Sequence, residues 1–416
     1  MRILILGAGV AGVTLAWRLL EDGHEVTVVD RHKEAASETS FANAGLIAPG
    51  HAFAWASPRA PGILLRSLFR DGQPLRFRLS ADPALWRWSL RFLRECTAER
   101  ARTNTLRKHR LCLYAQAALQ QVAADTGIAY DAASGGLLYL YRSQQSLDRG
   151  VANMQLLAED GQQLEVIDRE RAAELDPALE PTKGKIAGAV FCPTDESGDA
   201  CVFTRELASL CAGRGVKFLY DTIISGLVTE GDRIEKVATD KGDLVADLYV
   251  LSLGSYSSKF GKQLGERVPV YPVKGYSVTI PVDGANNPPT RGGVDEDNLF
   301  AYVRLGDRVR LTAVAEFSGH DTSHRPSDFS SMLSAARDLF PSAGDYARPQ
   351  YWACLRPMTP KGAPILGRGR HRNLYYNTGH DHMGWTMACG TARITADLIA
   401  GREPELPLDG MTLESA

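Results

Sequence analysis

Gly7-Ala8-Gly9-Val10-Ala11-Gly12 is a turn of the kind that cradles a pyrophosphate, and an acid, Asp30, stands about 20 residues further on. Gly7 permits the tight turn, Gly9 lets a phosphate approach the backbone, and Gly12 lets a helix pack close to the strand before it. The helix that opens there presents its N-terminal N–H groups to the phosphates, and Asp30 accepts the ribose hydroxyls. An acid at that position disfavours the 2′-phosphate of NADP, but the motif does not choose between NAD and FAD. A second constellation, Gly379-His380-Asp381-His382-Met383-Gly384, leads into a helix predicted over 385–400, whose first-turn N–H groups suit an anion. Two alternating His without a third ligand, and scattered cysteines without a CxxC pair, point to no metal.

The elements that must position these residues are legible around them. Arg2 to Leu6 is a short apolar run of the kind buried in a parallel sheet, Ala16 and Leu19 continue a helical buried face, and Gly23 stops the helix. Val26 and Val28 then point to one side of a strand ending at Asp30. The first twenty residues therefore read as strand and helix rather than as a secretory signal. A length of 416 residues suggests two or three lobes, and a net charge of −2 exerts no bulk pull toward nucleic acid. No run of about 18 apolar residues could span a membrane. The seven cysteines read as reduced cytosolic thiols, and there is no repeat or low-complexity segment.

Beyond the fingerprint come SETSFANAGLIAPGHAFAWASP at 37–58, PTDESGDACVFT at 193–204, LGSYSS at 253–258 and YPVKGYSVTIP at 271–281, then WACLRPMTPKGAPILGR and NTGHDHMGWTMACG. Taken together these segments resemble the bacterial FAD-dependent D-amino acid dehydrogenases of the small-subunit type, within the D-amino acid oxidase and glycine oxidase group. The resemblance implies an α/β fold: a Rossmann-like FAD-binding domain over 1–62, 190–268 and 350–416, and a discontinuous α+β substrate domain on a mixed sheet over 63–189 and 269–349. The pattern predicts helices near 85–96, 106–124 and 203–212, and strands near 216–220, 248–253, 270–280, 309–316 and 350–355.

The same resemblance implies roles. Ser40, Asn43, Ala44 and Gly45 would run beneath the diphosphate and along the flavin, Gly254 would bring its backbone to the cofactor, and the Gly384 and Trp385 N–H groups would face the charge that a reduced flavin gathers. Arg31, Leu46, Ile224, Gly379, His382 and Met383 complete the implied cofactor contacts. Arg356, just after its strand, would bind a substrate carboxylate with two parallel donors. Tyr276 and Lys274 are candidates for a second carboxylate or amine contact. The loop departs from the family pattern, which has small residues where this chain has Asp381, His382 and Met383. A His there is similar to the iminodiacetate- and glyphosate-oxidising relatives, so His382 either touches substrate or fills space over the flavin.

The implied reaction is oxidative deamination of a free D-amino acid, with hydride transfer to FAD, no side-chain base, and hydrolysis of the imino acid to a 2-oxo acid and ammonia. The alternatives are oxidation of N-substituted glycines or cyclic imino acids, and FAD binding without turnover. Residues 59–110 hold thirteen Arg or Lys against four acids, interleaved with Leu64, Leu65, Leu68, Phe69, Phe77, Trp86, Trp88, Phe92 and Leu93. That arrangement suits an anionic membrane surface, with a solvated helix face as the alternative. Since members of the resembled family pass electrons to a quinone, the chain is expected in the cytoplasm, peripheral on the inner face of the plasma membrane.

Overall fold

The computed structural model describes residues 1–67, 75–77 and 81–416; Leu68 and Phe69 of the basic region lie outside the described residues. Ile3 to Leu6 are buried on both faces, as a central strand of a parallel sheet requires. In spatial order this sheet runs Ile365–Arg368, Leu374–Thr378, Leu248–Leu251, Arg2–Leu6, Glu25–Val29 and Lys217–Leu219. Every neighbouring pair is parallel except the first, which is antiparallel. Ile3, Ile5, Val26 and Val28 pack with helices Val10–Glu21, Ala200–Gly213 and Gly384–Ala400, whereas Leu4, Leu6 and Tyr249 meet Phe260 and Leu264 on the opposite face. Gly7 holds φ at +108°, and a Cβ there would lie 2.6 Å from the Ser252 carbonyl oxygen, so a side chain fails on both counts.

Nine strands among the described residues form a second, mixed sheet. Its path is Gln350–Met358, Tyr271–Pro281, Arg308–Phe317, Phe300–Leu305, Gly293–Asp295, Leu137–Tyr141, Gly188–Cys192 and Glu165–Asp168, with Leu75–Phe77 beside Arg308–Phe317. Two divisions expected from sequence shift accordingly. Gln350–Met358 pairs with Tyr271–Pro281 and so belongs to this sheet, although the closing stretch of the cofactor domain was expected to start at 350. The expected division at 190 cuts through Gly188–Cys192, which pairs with Leu137–Tyr141.

Helix Ala98–Thr126 begins at Thr97, whose hydroxyl accepts the Arg100 N–H at 3.3 Å, and ends at Gly127 with φ +67°. Its 29 residues reach ~43 Å at about 1.5 Å per residue, long enough to serve both sheets. Ala118, Leu119 and Val122 join the core beside the parallel sheet, and Ala115 lies against Gly390. The seven cysteines are free, and no helix among the described residues is long and apolar enough to cross a membrane.

Candidate active site

The carboxyl ends of Arg2–Leu6, Glu25–Val29 and Leu248–Leu251 meet the second sheet across a cavity of about 920 Å³. Gly7, Gly9, Val10 and Ala11 line it, whereas Ala8 and Gly12 act from behind the wall. The Asp30 carboxylate, also on the wall, accepts the Ala8 N–H at 2.7 Å and the His32 N–H at 2.9 Å, which fixes its orientation. Ser40 Oγ accepts the Val10 N–H at 3.0 Å, and Asn43 Oδ1 accepts the Gly45 N–H at 2.9 Å, so this loop is bonded to the fingerprint and to itself. Ala44, Gly45, Leu46, Arg31, Ile224 and Gly254 line the same cavity. Gly379 does not; a Cβ there would lie 2.8 Å from Thr359, behind the wall.

Met383, Gly384 and Trp385 reach the cavity where helix Gly384–Ala400 begins. No side chain caps that helix and its first turn holds no acid, so its N–H groups remain a favourable site for negative charge. The Thr14 hydroxyl, 2.8 Å from the Val10 carbonyl of its own helix, also reaches the Ala388 carbonyl at 3.2 Å and so links the two helices, while Asn377 of the strand Leu374–Thr378 donates to the Ala11 carbonyl at 3.1 Å.

Arg356 lies within the strand Gln350–Met358 rather than after it, opposite Val273, and lines the cavity. Its Nη1 donates to the Val314 carbonyl at 2.8 Å, and among the described residues it forms no ion pair. Burial pulls its pKa down, with Cys354 and Asp381 opposing. Gly275 makes room for it, because a Cβ there would fall 2.7 Å from the guanidinium carbon. Such a guanidinium in a cavity is matched to a carboxylate. Tyr276 also lines the wall, but its hydroxyl donates to Glu316 Oε2 at 2.7 Å. Lys274 is absent from the wall: its ammonium donates to the Ser323 carbonyl at 3.0 Å and lies 3.4 Å from Glu316. The two residues form a buried brace through Glu316; Lys274 stands off the cavity, whereas Tyr276 keeps its place on the wall.

His382 lines the cavity, stacked on Trp55 with ring centroids 4.9 Å apart. Its Nδ1 lies 3.1 Å from Asp381 Oδ2, while its buried Nε2 has no hydrogen-bond partner among the described residues. Burial, and then the Lys108 charge, push the ring down to about 4, so it is neutral at physiological pH. Lys108 Nζ donates to Asp381 Oδ2 at 2.6 Å, both side chains being fully buried. Sequence reasoning placed Lys108 in the basic patch. The signal that would have separated it is helical spacing, since Thr105, Lys108, Cys112, Ala115 and Leu119 share the buried stripe of Ala98–Thr126. His51 and Asp195 were likewise unassigned. His51 lines the cavity and stacks on Tyr139, whose hydroxyl donates to Asp195 at 2.6 Å. Asp195, pushed by burial up to about 7, also accepts the Gly50 N–H at 3.2 Å and thereby holds the loop that carries His51. Among the described residues no cluster of His, Cys, Asp and Glu could hold a metal.

The family model for the DAO group, described as FAD dependent oxidoreductase, matches residues 2–398. The chain belongs to this family of FAD-dependent oxidoreductases. It is 48% identical over 412 residues to D-amino acid dehydrogenase 2 of Mesorhizobium japonicum, covering 99% of both chains. It is 44% identical over 406 residues to the D-amino acid dehydrogenase of Agrobacterium fabrum, covering 98% of this chain and 97% of that one. Its fold is that of the glycine oxidase of Geobacillus kaustophilus, with a TM-score of 0.75, 21% identity, and coverage of 99% of this chain and 98% of that chain. The iminodiacetate oxidase of Chelativorans sp. is similar in fold, with a TM-score of 0.73, 19% identity, and coverage of 99% and 98% respectively.

The wall fits FAD. Gly7, Gly9 and Asp30 suit the adenosine diphosphate end, and the uncapped start of Gly384–Ala400 suits the flavin. Buried polar atoms on the wall, Ser252 Oγ, Asn377 Oδ1 and Trp385 Nε1, have no hydrogen-bond partner among the described residues and are matched to a polar cofactor.

Proposed function

We propose that this FAD-dependent oxidoreductase oxidises free D-amino acids to imino acids that water converts to 2-oxo acids and ammonia. The observation that carries the reading is Arg356, a guanidinium on the cavity wall without an ion-pair partner among the described residues, in a chain whose curated relatives at 42–48% identity are named D-amino acid dehydrogenase. FAD, when bound, accepts the hydride from the substrate Cα. Arg356 anchors the carboxylate, and Val314 fixes the guanidinium that does so. Trp55, Leu64, Phe92 and Phe317 supply apolar wall that keeps bulk water away. Tyr276 closes the floor with its ring, held by Glu316 and Lys274. Anaerobic addition of D-alanine, D-proline or iminodiacetate to the yellow holoenzyme tests this: D-alanine or D-proline should bleach the flavin, and bleaching by iminodiacetate alone would transfer the site to N-substituted glycines.

The acceptor in this reading is a membrane quinone, with the protein docked on the cytoplasmic face of an anionic membrane. Helix Pro83–Glu95 supports it. Leu85, Trp88 and Phe92 are buried, whereas Trp86, Leu90 and Leu93 form an exposed stripe beside Arg87, Arg91 and Arg94. An apolar stripe next to cations complements anionic headgroups. Part of the basic charge is already paired: Lys108 with Asp381 in the interior, and the exposed Arg100 with Glu95 and Arg110 with Asp160. Flotation with phosphatidylglycerol vesicles at low salt should carry the holoenzyme, and Arg87→Glu/Arg91→Glu/Arg94→Glu should leave it behind; equal flotation of both removes the helix from this role.

A further inference from the structure

An amino acid oxidised at Cα loses a proton as well as a hydride: R–CH(NH3+)–COO− gives R–C(=NH2+)–COO− plus hydride plus one proton. The C=N bond needs the nitrogen lone pair, which the ammonium holds in an N–H bond until that proton departs. The proton leaves either to water before the amine binds or to a group on the cavity wall, and a wall group lets the bound ammonium form react.

The other titratable residues considered near the substrate region are poorer proton acceptors. His380 Nε2 lies 2.9 Å from Thr391 Oγ1, and burial pushes the ring down to about 4. Asp381 is ion-paired with Lys108, which together with His382 holds it well below the usual carboxylate range despite burial. His382 leaves its Nε2 open among the described residues, but burial and the Lys108 charge push the ring down to about 4 and make it a weak proton acceptor, and Tyr276 donates to Glu316. His51 differs. Its Nε2 lies 3.0 Å from Glu296 Oε1, and its ring is stacked on Tyr139 with centroids 5.5 Å apart and planes 7° apart. Burial lowers its pKa, but the charge and hydrogen bond of Glu296 outweigh that and the net direction is upward.

The position of this pair gives a route. His51 lines the main cavity and also a second cavity of about 240 Å³, whose wall includes Glu296, Arg59, Arg149 and Asp297. The Glu296 side chain is 20% exposed, so the pair bridges the reaction chamber and a pocket in contact with solvent. The groups that act on His51 are Glu296, Lys108 on Ala98–Thr126 and Asp195 behind Tyr139, with His382 coupled to it across the chamber. Arg59, Arg149 and Asp297 face it from the second cavity.

We propose that His51 accepts the proton that leaves the substrate ammonium and that Glu296 relays it into the second cavity. The substrate N–H bond breaks as Nδ1–H forms, Nε2–H breaks as a Glu296 O–H forms, and water in the second pocket takes the proton. The proposal rests on the amino acid reading above, and adds the base that the reaction was expected not to need.

A base must be unprotonated, so the rate of flavin bleaching should rise with pH through the His51 pKa. Removing Glu296 removes what holds that pKa up, so the rise should move to lower pH. The test uses holoenzyme of the parent, His51→Gln and Glu296→Gln, with FAD content checked by absorbance. Anaerobic stopped-flow bleaching by D-alanine is recorded against pH, and the His51 ring is titrated by NMR in histidine-labelled protein. In Glu296→Gln both the kinetic limb and the NMR titration should shift to lower pH by about half a unit or more. In His51→Gln the limb should vanish and the rate at neutral pH fall about a hundredfold, with partial recovery in His51→Ala on adding imidazole. A parent that bleaches while both variants keep its limb overturns the relay alone. A parent that no D-amino acid bleaches overturns the substrate reading and the relay with it.

Discussion

The Val314 carbonyl accepts an N–H from Arg356 at 2.8 Å from a backbone that has turned into the left-handed region, φ +63°. A β-branched residue adopts that conformation at a cost of about 1–2 kcal/mol. The register explains it: Lys274 faces Glu316 but Tyr276 faces Ala313, so Arg308–Phe317 carries one extra residue here and bulges. The bulge turns a carbonyl out of the ladder and onto Arg356. Val314→Gly keeps the carbonyl and relieves the conformation, so melting temperature should hold or rise while kcat/KM stays within a few-fold of the parent. A large rise in KM would show that the valine side chain itself shapes the site.

Arg356→Ala should leave FAD bound, judged by the visible spectrum, while kcat/KM for a D-amino acid falls by about two or more orders of magnitude, or ~2.7 kcal/mol at about 1.36 kcal/mol per decade. Arg356→Lys should recover only part of this, since an ammonium lacks the paired donors. Gly275→Ala gives an independent approach to the same guanidinium. Its Cβ would lie 2.7 Å from the Arg356 carbon, so KM should rise strongly with little change in FAD content.

Much of the cofactor half was legible because its constraints are local. The strand at 2–6, the three glycines and Asp30 sit within one βαβ unit, where spacing alone specifies geometry. The substrate half depends on contacts between distant segments. Lys108 meets Asp381 across 273 positions, and Tyr276 meets Glu316 through a strand pairing that no period reveals. Arg356 was found by its motif, but the carbonyl that holds it comes from a bulge, and a bulge leaves no mark in an alternating apolar pattern. His51 carries no spacing signal either; its meaning comes from Glu296 and from standing between two cavities.

The buried Lys108–Asp381 pair predicts a non-additive double-variant cycle. Lys108→Met strands a fully buried carboxylate and should cost about 3–5 kcal/mol. Lys108→Met/Asp381→Asn removes both charges and should regain most of the loss. The readout is urea unfolding of holoenzyme with the slope compared among variants; additive single effects would mean the pair is not energetically coupled.

Acid should weaken the protein through its histidines before its carboxylates. His380 and His382 are pushed down to about 4, against about 6.5 in an unfolded chain. A depressed pKa gives stability that is fully present above the unfolded value and is lost as pH falls through the folded one, so these rings act between about 6.5 and 4. Asp195 works in the opposite direction. Raised to about 7, it favours the folded state at low pH and loses that contribution as pH rises toward 7. Between about pH 4 and 6.5, for these three groups, the unfolded chain thus binds two histidine protons where the folded chain binds one on Asp195, and His24 and His320, also lowered by burial, act in the same direction as the two rings. The net is roughly one proton, a slope of about 1.4 kcal/mol per pH unit with stability falling as acid is added. His380→Gln/His382→Gln leaves the Asp195 term and should turn the acid-side fall in melting temperature into a shallow rise, and Asp195→Asn should steepen the fall. A double histidine variant that keeps the parent's slope would show that other groups carry the acid sensitivity.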